Sequence, residues 1–163
     1  MENLPLKYQG CAVVFQEVPN EISLAFNISG CPVRCKDCHS KYLWEYKGSY
    51  LSNDIYNWLD KYKSYITCVC FMGGDQNLIE LEKLCKLCHS CGLKTCLYTG
   101  NRLSENLKQF AFKNLDYLKV GEYSSICGGL DKETTNQIMY KICNHTMQDI
   151  TYIFRKDFVN ESN

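Results

Sequence analysis

The spacing of apolar and polar positions changes repeatedly along the chain, and each change marks an element boundary. Cys11 to Val18 (CAVVFQEV) is a short run rich in strand formers, Pro19-Asn20 is a turn signal, and Ile22 to Ser29 alternates in its second half before Gly30. These two segments are expected to form a hairpin. Ser52 or Asn53 is placed to cap a helix reaching about Lys63, with Ile55, Leu59 and Tyr62 on one stripe. Ile66 to Met72 (ITCVCFM) then reads as a buried strand that stops at Gly73-Gly74. A second helix from about Leu78 to Cys91 carries Leu78, Leu81, Cys85 and Cys88 at helical spacing and ends at Gly92. Leu93 to Tyr98 is a strand, Ser104 to Phe112 a shorter helix, Tyr117 to Val120 a strand, and Ile150 to Phe154 the last strand candidate. Strand and helix alternate. That predicts an α/β chain with a mainly parallel sheet and crossover helices, whose ligands collect at the carboxyl ends of the strands.

Composition narrows the function classes. The 163 residues suit one domain spanning 1–163, and 45% hydrophobic with 22% charged residues is a globular balance. Eighteen basic residues offset eighteen acidic ones, so no net field draws the chain to nucleic acid or to an anionic membrane. The opening MENLPLKYQGCAVVF lacks a basic segment followed by a long apolar one, and no later run approaches a membrane span. The expected location is the cytoplasm. There, twelve cysteines point to thiolate metal or redox chemistry more than to disulfides.

Two motifs follow successive strands. Gly30-Cys31-Pro-Val-Arg-Cys35-Lys-Asp-Cys38 brings three cysteines into one loop as C-x3-C-x2-C. Closed structural sites take four protein ligands, whereas three leave a metal position open for chemistry. A zinc site completed by His39, or cysteines that merely happen to be close, are the alternatives. Phe71-Met72-Gly73-Gly74-Asp75 ends the next strand; its glycines permit close backbone approach, and the Asp75 carboxylate can accept from a bound ammonium group. Alone it also fits an ordinary strand-to-helix turn.

With these motifs the chain resembles the radical S-adenosylmethionine enzymes, and among them the group that activates anaerobic ribonucleoside-triphosphate reductase. NISGCPVRCKDCHS, FMGGD, YTG, DYLKVG and Thr134-Thr135-Asn136-Gln137 carry the likeness over most of the chain. The resemblance implies a truncated, open (βα) barrel with Cys31, Cys35 and Cys38 on a [4Fe-4S] cluster. S-adenosylmethionine would chelate the fourth iron, with Gly73, Gly74 and Asp75 at its methionyl amino group. Reductive cleavage would give a 5'-deoxyadenosyl radical that makes a glycyl radical on the reductase large subunit. The implied electron donor is external, such as flavodoxin or ferredoxin. Tyr98-Thr99-Gly100 and Lys119, at later strand ends, are candidates for the ribose or carboxylate of the cofactor; Lys119 can equally be a solvated lysine. Asp37 stands where many relatives carry an aromatic residue against the adenine, and His39, Tyr42 or backbone groups are the candidate replacements.

Cys85, Cys88 and Cys91, with Cys96 beyond, can be read as a second metal site, but the first two share the apolar stripe of the second helix and suit core packing. Two other functions compete with reductase activation. One is a small radical enzyme acting on a small molecule such as a modified-base precursor. The other is a non-catalytic iron-sulfur carrier or zinc module.

Overall fold

The computed structural model describes residues 3–155. The remaining residues of the expected 1–163 domain, including the first two of the opening segment, lie outside the described residues.

The predicted hairpin forms. Strand β1 (Lys7–Val14) pairs antiparallel with β2 (Ser23–Ile28), with Ala12 opposite Ala25. Strand β1 begins before Cys11 and ends before Val18, whose side chain turns inward and is buried. After the cysteine loop come a 3-10 turn (Lys41–Trp44), β3 (Ser49–Tyr50) and α1 (Leu51–Tyr62). The start of α1 is set by tertiary contact instead of a Ser52 or Asn53 cap: Leu51 is fully buried, its N–H donates to Leu6 O at 3.0 Å, and Asp54 lies in the first turn. Then follow β4 (Cys68–Met72), a 3-10 turn (Asp75–Asn77), α2 (Leu78–Ser90), β5 (Lys94–Tyr98), α3 (Glu105–Asn114) and β6 (Tyr117–Val120). Asn77 and Ser104 accept from the backbone at the starts of α2 and α3.

The chain closes with β7 (Ile138–Cys143), β8 (Thr146–Asp149) and a 3-10 turn (Thr151–Phe154). The expected barrel and mainly parallel sheet are therefore corrected. Among the described residues the strands form one mixed eight-stranded sheet in the order β3-β1-β2-β4-β5-β6-β7-β8, with three α-helices. Among the described residues only the β2-β4, β4-β5 and β5-β6 pairings are parallel, each bridged by one of α1, α2 and α3. Beyond them the connections hold no α-helix, and the chain returns antiparallel. The β7-β8 turn is Asn144-His145, both at positive φ (50° and 57°), the conformation that joins two antiparallel strands tightly. The last strand candidate, Ile150 to Phe154, is a 3-10 turn because β8 already occupies that sheet edge.

Alternation divides the sheet into two buried faces. Leu24, Phe26, Ile28, Val69, Phe71, Leu97, Leu118 and Val120 join the helices in the larger core. The opposite face carries Ala25, Cys68, Cys70, Cys96, Tyr117 and Met139, covered by Val18, Ile150, Ile153 and Phe154. Residues at the carboxyl ends of the parallel strands on this second face, Met72, Tyr98 and Lys119, open onto a cavity. Among the described residues no helix is long and apolar enough to cross a membrane.

Candidate metal and cofactor site

The cysteine loop is shaped by its backbone. Gly30 (φ 75°) starts it, Cys31 N–H donates to Leu43 O at 3.0 Å, and Cys38 N–H donates to Cys35 O at 3.1 Å. Arg34 takes φ 50°, a conformation costly for a side-chain-bearing residue and tolerated where surrounding contacts impose it. All three cysteines are free thiols, and all three line one cavity of about 410 Å³. The Cys38 sulfur accepts from Ser40 N–H at 3.3 Å. Burial pushes the Cys35 thiol up, opposed by the backbone N–H of Tyr123. Gly100 leaves this sulfur its space: a Cβ there would stand 3.0 Å from Val33 Cγ1 and 3.5 Å from Cys35 Sγ.

These residues fit an iron-sulfur cluster: soft donors, clustered, in a loop with backbone donors beside the sulfurs. Among the described residues no three His, Cys, Asp or Glu side chains are grouped to hold a single metal ion, the three cysteines and His39 included.

The other predicted residues separate into two groups. Gly73, Asp75, His39, Thr99 and Lys119 line the same cavity as the three cysteines. Gly74 does not: at φ 116° it forms the turn, and a Cβ there would point at Leu6, Leu81 and Ile28 of the core. Asp75 Oδ2 accepts from Thr99 Oγ1 at 2.8 Å and Asn101 Nδ2 at 2.7 Å, tying the ends of β4 and β5 together. Lys119 is buried, not solvated. Its Nζ donates to Gly121 O at 2.9 Å and Thr99 O at 3.4 Å, and loss of hydration lowers its pKa from 10.5 to about 8. The unfolded chain thus binds the Lys119 proton more tightly, so the contribution of Lys119 to stability rises between about pH 8 and 10.5, against the fall caused by buried thiols whose ionisation the fold suppresses. Urea midpoints of Lys119→Met should fall more steeply over this window than those of the metal-free parent, which keeps the opposing lysine contribution.

Asp37 has a role of its own. Its Oδ2 accepts from Ser125 Oγ at 2.7 Å and Ser125 N–H at 3.0 Å, which holds its carboxyl below the usual range and joins the cysteine loop to the segment after β6. Of the aromatic wall, Tyr98 belongs to the YTG motif, whereas Tyr123 and Trp44 are residues the motifs did not reveal. Tyr123 lines the cavity with its ring 4.7 Å from that of His39, and Trp44 and Tyr98 line it too. Tyr42 is exposed and not part of the lining. An aromatic residue just past the end of a parallel strand was the available signal for Tyr123. Gln76 was also missed; its Nε2 donates to Ser29 O at 3.1 Å, linking the turn after β4 to the start of the cysteine loop.

The second metal site is not assembled. Cys85, Cys88 and Cys96 are fully buried while Cys91 is exposed. Desolvation pushes Cys85 up to about 12 and holds Cys88 and Cys96 well above the ordinary thiol value, the behaviour of small apolar side chains.

A family model described as the 4Fe-4S single cluster domain matches residues 22–139, a span that includes the cysteine loop, every parallel pairing and the Thr134–Gln137 run. No curated protein and no solved structure gives a significant match. Three thiols on one cavity, inside a match that covers most of the chain, lead to one assignment: the chain belongs to the 4Fe-4S single cluster domain family and binds a [4Fe-4S] cluster.

Proposed function

We propose that Cys31, Cys35 and Cys38 hold the cluster with one iron open, and that the chain cleaves S-adenosylmethionine reductively to generate a glycyl radical on anaerobic ribonucleoside-triphosphate reductase. One observation carries this reading: the three cysteines of the loop and Gly73 and Asp75 of the next strand end, predicted from separate motifs, line a single cavity. When bound, the reduced cluster supplies one electron for the cleavage, whose products are methionine and a 5'-deoxyadenosyl radical able to take hydrogen from glycine.

The chain's own residues orient and shield. Gly73 presents backbone at the cavity, where an amino acid group can approach without meeting a side chain. Asp75 keeps Thr99 and Asn101 in place, and Lys119 joins the ends of β5 and β6 through Thr99 and Gly121. Tyr98, Tyr123, Trp44, Val33 and Leu130 make the lining largely apolar, which excludes water from a reactive intermediate. The Thr134–Gln137 run favours the reductase over a small-molecule substrate by its likeness to the activating group.

Reconstituted anaerobically, reduced and given S-adenosylmethionine, the chain should release 5'-deoxyadenosine. Adding the reductase large subunit should give a doublet glycyl-radical signal by electron paramagnetic resonance. Cleavage without the doublet would leave a radical enzyme acting on another substrate; no 5'-deoxyadenosine would remove the enzyme reading altogether. Flavodoxin or ferredoxin as reductant should replace the chemical one in the same assay.

A further inference from the structure

The loop that carries the three thiols is itself part of the surface. Pro32, Arg34, Lys36 and His39 are exposed between and beside Cys31, Cys35 and Cys38. Residues 31–47 hold four cations, Arg34, Lys36, Lys41 and Lys47, all exposed, and two acids, Asp37 and Glu45. Asp37 is turned onto Ser125 of the segment after β6. The whole chain is neutral, with eighteen residues of each sign, so this stretch is positive against a negative remainder. Among the described residues none of the four cations forms an ion pair, whereas Lys63, Lys86, Lys94, Lys113 and Lys132 do. One ring holds two of the unpaired charges. Arg34 Cζ lies 5.9 Å and Lys41 Nζ 5.7 Å from the centre of Trp44, which also lines the thiol cavity. Tyr42, next to Lys41, is 53% exposed. Arginine and tyrosine are residues that anchor interfaces, and cations left unpaired set up a local positive field.

We propose that the cysteine loop, through Arg34, Lys36 and Lys41, is the docking face for an acidic one-electron carrier protein. This rests on the cluster reading above, which requires an electron from outside. In the step, the reduced carrier gives up one electron and the cluster takes it; no bond forms or breaks. A carrier must arrive, deliver and leave, and opposite local fields speed its encounter without a large apolar contact. Redox encounters use small interfaces, below about 1,200 Å² in total, a size that one charged loop can supply. The carrier needs only the outside of the loop, whereas a glycine to be oxidised must enter the cavity, so the exposed outer face suits the carrier and not the reductase.

The test measures how fast reduced flavodoxin, an acidic carrier, reduces the reconstituted cluster by anaerobic stopped-flow absorbance. Salt is varied from about 0.01 to about 0.15 M, over which the screening length falls from about 30 Å to about 8 Å. The parent is compared with Lys36→Gln/Lys41→Gln and with Lys61→Gln/Lys83→Gln, which removes the same charge from exposed positions on α1 and α2. Photoreduced deazaflavin, a small neutral reductant, gives the rate without docking. At low salt the loop variant should react about tenfold more slowly than the parent with flavodoxin, within the span of electrostatic steering, and its salt dependence should shrink. With deazaflavin all three chains should react alike at equal iron content, and the α1/α2 variant should match the parent throughout. Equal flavodoxin rates in the parent and the loop variant, an equal loss in the α1/α2 variant, or no reduction of the parent by flavodoxin overturns the proposal. A loop variant that keeps the flavodoxin rate but loses the glycyl-radical doublet also overturns it, because the face then belongs to the reductase. In parallel, backbone amide shifts of the metal-free chains are followed as oxidised flavodoxin is added; those of residues 34–42 should move in the parent at low salt and not in the loop variant. Where a chain takes up too little cluster to follow, these shifts decide. Should the parent take up none, the cluster reading falls, and shifts that are absent or confined to other faces remove the docking site as well.

Discussion

A Cys35→Ala chain, reconstituted anaerobically beside the parent, should retain almost no iron and form no detectable 5'-deoxyadenosine. The parent should hold about four irons, as one [4Fe-4S] cluster requires. Cys35 is the middle ligand candidate and the most buried of the three, with its sulfur beside Gly100 and Val33. Alanine there removes a donor without adding bulk, so folding should survive while the cluster loses one of its protein ligands. Cys31→Ala and Cys38→Ala should behave alike. Cys85→Ala/Cys88→Ala should keep the iron content, because those thiols are buried in the helix-side core. Iron near eight per chain, or zinc retained after reconstitution, would revive a second site. Retained cleavage in Cys35→Ala would refute its assignment as a ligand.

Phe71→Ala should cost about 3–5 kcal/mol of folding stability, the range for truncating a buried aromatic side chain. Stabilities of about 5–15 kcal/mol are usual for a domain, so this one change would remove a large share. Phe71 is fully buried, stacks on Phe26 at 6.3 Å, and pairs with Phe26 on β2 and Leu97 on β5 in the parallel sheet. It also lies close to Gly73 and Asp75, so loosening it should disturb the strand end that faces the cavity. Urea unfolding of the metal-free chain measures the change, with Tyr56→Ala, at an exposed position, expected to stay within about 0.5 kcal/mol. A change below about 1 kcal/mol in Phe71→Ala would mean that the larger core does not hold the parallel strands as described.

The elements that could be read from the chain are those whose signals are local. The β1-β2 hairpin, the helices after β3, β4 and β5, and the strand ends at Gly73-Gly74 and Val120 follow from periodicity, turn residues and caps within a few positions. The β7-β8 hairpin was overlooked although Asn144-His145 sits between strand-like segments, because asparagine and histidine signal a two-residue turn less clearly than Asn-Gly. Missing it left the sheet too parallel and let Ile150 to Phe154 pass for a strand.

Sequence alone determined the cysteine loop, its spacing and its position after a strand, since the spacing of cysteines is a property of consecutive residues. It also pointed correctly to burial of Cys85 and Cys88, because apolar spacing on a helix predicts a face. The tertiary structure decided which predicted residues meet: Gly74 turns to the core, Lys119 is buried between two carbonyls, and Asp37 ties the cysteine loop to Ser125. It also decided the use of Thr134–Gln137, which faces the loop after β6. These outcomes depend on strand order and on loops crossing the carboxyl edge, where residues far apart in the chain become neighbours, and no local pattern encodes those distances.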